Sequence, residues 1–408
     1  YMLYLYSLGT YIYGVILQFA SLFHPKAKLL IRGREQSISV VKSIKLKYPD
    51  SKWIWIHAAS LGEFEQGRYL IDRISADYSQ YKIALSFYSP SGYEPQQNCQ
   101  NVDMVFYMPL DTAYNANKLI DTLSPHLAIF IKYDFWWNHL NALQSKSIPT
   151  VFISTMIRSD QYFIKHKLGS IRSILSSVDH YYVQTQKSAD LLQSIGIVNT
   201  TVTGDSRLDS ILFEEVNDVP IQKEILNWKS NGKCIIYGSV HLSDMEIIKE
   251  MSSINAKHLI VPHDIDSANI TAFQSQLPAS MIYSQSGLED SSMVILDKLG
   301  VLRHIYNTAD LVYIGGGFGK GIHNILEPLV QLIPILIGSN YHKFPEAVDL
   351  ITEDAIKAID TATLACIEAK NMLMESNNER KKTQNQYIRT HSGATEKILP
   401  SLEENKWI

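Results

Sequence analysis

The chain has 408 residues, 46% hydrophobic and 19% charged, with a formal net charge of −4. That length exceeds one ordinary domain and points to two, each able to bury a core, while the composition excludes a disordered chain. The slightly acidic balance excludes a global basic field for nucleic acid, and three scattered cysteines without CxxC spacing exclude a disulfide framework and fit a reducing compartment.

From Tyr1 to His24 there is no Asp, Glu, Lys or Arg, and the run is rich in Tyr, Leu, Ile and Phe. It is just long enough to span a bilayer, and its tyrosines equally suit the interface. Lys26, Lys28, Arg32 and Arg34 follow, a cationic flank that marks the cytoplasmic side. No basic region precedes the run, so a cleaved signal peptide fits poorly. We expect residues 1–25 to form a single membrane-anchoring helix with the rest of the chain in the cytoplasm. The alternative is a buried first helix of a soluble fold.

A βα alternation comes next. Strands are expected at Trp53–His57, Lys82–Phe87, Met104–Met108, Leu127–Ile131, Thr150–Ser154, His180–Gln184 and Thr200–Thr203. Helical spacing appears at Glu63–Tyr78, Asn115–Leu123, Leu140–Ser145, Phe163–Ser177 and Ser188–Ile195. Such alternation implies a parallel sheet covered on both faces. The pattern lapses from Phe213 to Lys233, and a linker is placed at 214–232. A second series has strands at Cys234–Gly238, His258–Val261, Met293–Leu296, Leu311–Ile314 and Pro334–Ile337, with a helical tail from Thr361 to Asn405. The expected architecture is α/β: an anchor at 1–25, one doubly wound domain at 26–213, and another at 233–408, facing a cleft where such folds bind ligands.

Several loops carry chemistry. After the first strand, Ser60, Leu61 and Gly62 lead into a helix opened by Glu63, which puts a carboxylate at the strand's carboxyl end. Glu63 there is a candidate general base on a hydroxyl, with glycine permitting close approach. Ser60-x-x-Glu63 also matches a capping box. Lys132-Tyr-Asp-Phe-Trp-Trp-Asn138 crowds Lys132, Asp134, Trp136, Trp137 and an amide into one loop, a mixture that suits a carbohydrate or an acidic sugar. The plainer reading is an amphipathic loop capping the core. Arg207, in Gly204-Asp-Ser-Arg-Leu-Asp209, is placed to meet an anion or to form a surface salt bridge. Ser239, in Gly238-Ser-Val-His241, fits a phosphate contact or a helix cap.

In His263-Asp-Ile-Asp266 the paired aspartates could hold a divalent cation, but a cap is the favoured reading. The richest stretch runs from Asp310 to Pro328. A strand at Leu311–Ile314 enters Gly315, Gly316, Gly317, Gly319 and Gly321, and helical spacing resumes at about His323–Leu332. Strand, glycine turn and helix start make an anion site, to which His323, Asn324 and Glu327 add side chains for a sugar or nucleotide. The dinucleotide pattern fails because Lys320 stands where its last glycine would fall, and the P-loop fails because Gly321 follows Lys320. His323 and Glu327 lie one turn apart, but no third ligand is evident, so no metal is expected.

These blocks, in this order, resemble the Kdo transferase family (Kdo is 3-deoxy-D-manno-octulosonic acid), membrane-associated glycosyltransferases of lipopolysaccharide assembly. Trp-Ile-His-Ala before Ser60-Leu-Gly-Glu63, Tyr107-Met-Pro-Leu-Asp111, Val202–Asp209, Gly238-Ser-Val-His241, Gly315–Pro328 and Gly338–Phe344 carry the likeness, from the N-terminal run to about Leu350. The resemblance implies a GT-B fold of two Rossmann-like domains, the first binding acceptor and the second CMP-sugar. It implies inverting transfer of Kdo from CMP-Kdo to the lipid A precursor lipid IVA, without metal or cofactor, at the cytoplasmic face of the inner membrane.

By position, Glu63 would be the base, with Ser60, Gly62, Lys132, Asp134, Trp136 and Arg207 on the acceptor or sugar side. Ser239, His241, Gly316, Gly317, His323, Asn324 and Glu327 would hold CMP, with Glu327 on the ribose. Three departures stand out. Lys132 and Asp134 replace a Glu-x-Glu pair, and Trp137 replaces the proline that follows. Ser154-Thr-Met-Ile-Arg158 replaces Asn-Ala-Arg. Pro262-His263-Asp264 replaces Pro-Arg-His. Rival readings are a GT-B enzyme using another nucleotide sugar on a membrane lipid, and a non-catalytic membrane-bound scaffold.

Overall fold

A computed structural model describes residues 2–166, 169–213, 220–288 and 291–408. The chain divides into two compact units, 1–213 with 391–408, and 214–390. Residues 214–219 of the expected linker lie outside the described residues. Its remainder is grouped with the second unit, where the helix Pro220–Lys229 buries Ile221 and Ile225. The last residues, expected with the second domain, are grouped with the first.

The first unit holds a seven-stranded parallel sheet. Its strands are β1 (Lys52–Ala58), β2 (Tyr81–Phe87), β3 (Met104–Tyr107), β4 (Leu127–Ile131), β5 (Thr150–Thr155), β6 (His180–Val183) and β7 (Thr200–Val202), in the order β3-β2-β1-β4-β5-β6-β7. Central strands of such a sheet are covered on both faces, which is why β1 reads as an unbroken apolar run. Alternate residues go to opposite sides: Trp53 and Trp55 join one buried cluster, Ile54 and Ile56 the other. The second cluster is closed by Ala394, Ile398, Leu399 and Leu402 of the helix Ala394–Glu404. Strand order reverses between β1 and β4, a topological switch point where doubly wound sheets take ligands.

Three helices frame this unit's site: α1 (Met2–Ser21), α2 (Pro25–Lys47) and α3 (Leu61–Asp77). Among the described residues no helix is long and apolar enough to cross a membrane. One side of α1 is tied down. Tyr6 donates to Asp111 Oδ2 at 2.6 Å, and Ser7 donates to Asn138 Oδ1 at 3.2 Å. Its other side leaves Leu5, Leu8, Ile12, Ile16 and Phe19 exposed. Of the helix expected at Phe163–Ser177, the described residues are helical at Tyr162–His166 and Gly169–Ser176, and 167–168 lie outside them.

The second unit repeats the plan. Its strands are β8 (Cys234–Val240), β9 (Lys257–Pro262), β10 (Met281–Ile282), β11 (Met293–Ile295), β12 (Leu311–Ile314), β13 (Ile335–Gly338) and β14 (Lys357–Ile359), all parallel, in the order β10-β11-β9-β8-β12-β13-β14. Tyr237 and Tyr313, facing the same side, pack with Met245, Phe273 and Met372. The edge strands β10 and β14 were not expected, since two or three residues are too few to show a period. Here the switch falls between β8 and β12.

Candidate functional site

In the first unit, α3 starts immediately after β1, so Glu63 sits in its first turn at the switch point. Its carboxylate accepts the Ala59 N–H at 2.7 Å and is 9% exposed. Ser60 occupies the cap position, yet its side chain makes no capping bond, so the reciprocal half of a capping box is absent. Gly62 faces open space: a Cβ there would meet nothing within 4 Å. Burial pushes the Glu63 carboxyl up, opposed by the Ala59 and Ser60 N–H groups and by the charge of Lys132.

Across the switch, Lys132 directly follows β4, and its φ of 72° turns the chain sharply. Asp134 follows. Burial first, then the Glu63 charge, raises its carboxyl to about 7, against a downward pull from Lys132. Asp134 Oδ2 is buried and makes no hydrogen bond within the described residues. Two carboxyls and one lysine thus act on one another, and the pair holds a proton near neutrality.

His57, on β1, was not singled out from sequence, because a histidine inside an apolar strand reads as core. Trp136 Nε1–H donates to its Nε2 at 2.9 Å, which leaves Nδ1–H to donate to Ser86 Oγ at 2.8 Å. Burial pushes this imidazole down to about 3, so it is neutral beside Asp134, whose Oδ2 is 4.0 Å from Nε2. Trp136 also stacks on Tyr88, with ring centroids 4.6 Å apart, and the Arg34 guanidinium carbon lies 4.2 Å from the Tyr88 centroid. Arg34 is a second residue missed: its Nε and Nη2 are buried and, among the described residues, have no hydrogen-bond partner. It lines a pocket of about 380 Å³ between α1, α2 and Pro109–Leu110, together with Lys118. Arg207 is drawn into a close pair with Asp205, Nε to Oδ1 at 3.0 Å and Nη2 to Oδ2 at 2.5 Å.

In the second unit the loops after β8 and β12 meet at their own switch point. A bulge at Gly238–Val240 puts Ser239 at φ 52°, and His241 follows. Asp244 is fully buried and holds both loops. It accepts from His241 N at 2.8 Å, Gly316 N at 3.0 Å and the Tyr313 hydroxyl at 2.7 Å. Glycine is required for this approach. A Cβ on Gly315 would come within 2.5 Å of Val240 Cα, and one on Gly317 within 2.5 Å of Gly338 Cα.

The helix expected from His323 begins later, at Leu326–Val330. The Asn324 side chain is the cause. Its Oδ1 accepts Leu326 N at 3.0 Å, one residue ahead of the cap position Ile325, and its Nδ2 donates to Glu327 Oε1 at 3.1 Å. His323 and Asn324 therefore sit on the loop, and so short a helix adds little dipole. His323 packs against two other imidazoles. Its Nε2 is 2.8 Å from His241 Nε2, and its ring centroid is 4.4 Å from that of His263. Burial and then these two neighbours push His323 down to about 4. Asp266 is a helix cap, accepting Asn269 N at 3.0 Å. Part of the sequence signal for the three-histidine cluster was available: His241 and His263 directly follow strand ends, whereas His323 comes at the far end of the glycine loop after β12.

A family model described as 3-deoxy-D-manno-octulosonic-acid transferase (kdotransferase) matches residues 32–210. A 3-deoxy-D-manno-octulosonic acid transferase from Haemophilus influenzae is 27% identical over 387 residues, covering 88% of this chain and 89% of the relative. Proteins of the same description from Chlamydia muridarum and Aquifex aeolicus are 24% and 23% identical, covering 80% and 74% of this chain and 79% and 80% of their own lengths. Among solved structures, UDP-GlcNAc 2-epimerase from Neisseria meningitidis bound to UDP-GlcNAc aligns with a TM-score of 0.63 at 13% identity, over 86% of this chain and all of that one. That likeness shows the fold, GT-B, alone.

Proposed function

We infer that this chain, which belongs to the Kdo transferase family as a divergent member, moves Kdo from CMP-Kdo to the lipid A precursor lipid IVA with inversion. Glu63 is the base. The acceptor hydroxyl gives its proton to the Glu63 carboxylate as its oxygen bonds to the anomeric carbon of Kdo. The bond from that carbon to the phosphate oxygen breaks, and CMP leaves with the electron pair. The observation that carries this reading is the grouping of Glu63, Asp134 and Lys132 at the first switch point. A carboxyl raised by burial is a stronger base than one in water, and Lys132 offers a counter-charge to an acidic sugar or a lipid phosphate.

On the donor side, Ser239, His241, Gly316, Gly317, His323 and Asn324 hold CMP, and Glu327, oriented by Asn324, takes the ribose. The pocket beside Arg34 and Lys118 suits an anionic, partly apolar acceptor. The exposed apolar side of α1 lies in the cytoplasmic leaflet of the inner membrane, as amphipathic helices do at the headgroup boundary.

The test is transfer by purified, detergent-solubilised protein from freshly made CMP-Kdo to lipid IVA, read by mass spectrometry. A mass gain of one or more Kdo units is expected. No gain beside an active control enzyme in the same detergent would remove the assignment of donor and acceptor.

A further inference from the structure

We propose that His241, His263 and His323 form a binding site for a divalent transition-metal ion of the zinc class. One ring nitrogen from each lies within 4.8 Å of the other two. In a tetrahedral zinc site, metal–nitrogen bonds of about 2.0–2.1 Å place the ligand nitrogens roughly 3.3 Å apart. The closest pair here, His241 Nε2 and His323 Nε2, is 2.8 Å apart, so small ring rotations bring all three to that spacing. Two ring nitrogens at hydrogen-bond distance need a lone pair on one of them. An ion would use the lone pairs of both.

Three backbone hydrogen bonds fix the loop segments that carry the rings. His241 N–H donates to Asp244, His263 N–H to Val240 O at 3.0 Å, and His323 N–H to Gly315 O at 3.2 Å. Because Asp244 also accepts Gly316 N–H, the loops carrying His241 and His323 share one buried anchor.

The chemistry selects the ligand. Imidazole suits zinc, copper, nickel and cobalt, whereas magnesium and calcium require oxygens. Asp264 acts electrostatically on His323, and its negative charge favours a cation over an anion. Three imidazoles leave the fourth tetrahedral position open, and His263 is exposed, so the ion has an entry path. His263 stands where the family resemblance places an arginine, so the third ligand is a feature of this chain. His241 and His323 are also the residues assigned above to CMP, so the ion would sit within the donor site; titration in the absence of CMP tests it apart from Kdo transfer.

The experiment is titration of tag-free full-length protein with Co²⁺ followed by visible absorption, then displacement by Zn²⁺ in calorimetry. One equivalent should bind saturably with a spectrum of nitrogen ligation. His263→Ala and His323→Ala should each weaken binding at least ~100-fold, since losing a direct ligand costs no less than losing an outer partner. His24→Ala, at an exposed site, should change nothing. Circular dichroism of His263→Ala, an exposed position, reports that the fold is kept. Absence of saturable binding would overturn the proposal, and so would binding that both variants retain. Saturable binding of inorganic phosphate by protein that takes up no Co²⁺ or Zn²⁺ would overturn it too, making the cluster an anion cradle.

Discussion

Glu63 and Asp134 share one proton economy, and each can be tested by removing its charge. Glu63→Gln keeps the shape and can still accept the Ala59 N–H but cannot take up a proton as a base. We expect kcat to fall about 10²–10⁴-fold with CMP affinity unchanged, measured by Kdo transfer and by calorimetry. Retained turnover would remove Glu63 as base. The Asp134 carboxyl is raised from an ordinary value near 3.8 to about 7. Its folded pKa lies above its unfolded one, so the native state binds the extra proton, and stability present at low pH is lost as pH rises through that window. The loss is on the order of several kcal/mol between about pH 4 and about pH 7. Asp134→Asn should therefore gain stability over wild type at about pH 8 and little at about pH 5, in urea melts at both. An equal gap at both pH values would show that Asp134 is not held protonated. The acids themselves were legible, because each follows a strand end in a loop crowded with polar and aromatic groups. Their coupling was not, because the sequence does not show that β4 pairs with β1, or that burial keeps His57 neutral beside Asp134.

At the scale of elements, α1 has two unlike sides. Tyr6 and Ser7 reach Asp111 and Asn138, while Leu8 and Ile12 point outward. Burying one such side chain at an interface contributes about 1.5–3 kcal/mol. Leu8→Glu or Ile12→Glu should each cut binding to anionic phospholipid vesicles at least ~10-fold in sedimentation, with the melting temperature unchanged. Vesicle binding insensitive to both would exclude α1 as the contact. Strand positions came through well from apolar runs such as Leu127–Ile131 and Leu311–Ile314, since burial on both faces leaves an uninterrupted signal. Helix starts came through less well. The periodicity from His323 onward gave no hint that Asn324 would accept the N–H of Leu326, where the helix begins. Nor did the basic flank after the N-terminal run announce the helix Pro25–Lys47.

At the scale of the whole molecule, two doubly wound sheets could be anticipated from alternating strand and helix signals, and the break near residue 213 could be anticipated too. The destination of the final helix could not, because its apolar positions fit either sheet equally. Ile398, Leu399 and Leu402 close one face of the first sheet, and Asp209 accepts the N–H groups of Gly393 and Thr395 at 2.6 and 2.7 Å. Losing three such side chains from a core removes roughly 5–9 kcal/mol, the whole stability of many domains. A chain ended at residue 390 should show one calorimetric transition, that of the second unit, and proteolysis of the first. Two intact transitions would show that the first sheet stands without its last helix.

Residues 391–408 are made after all of 214–390, yet they complete the core begun by residues 52–58. On the ribosome the first unit must therefore wait, with part of one face of its sheet uncovered, while the second unit is translated and collapses first. Chaperone dependence during synthesis should fall on the part of the protein that emerges earliest, reversing the usual order in which domains are finished from the N-terminus onward.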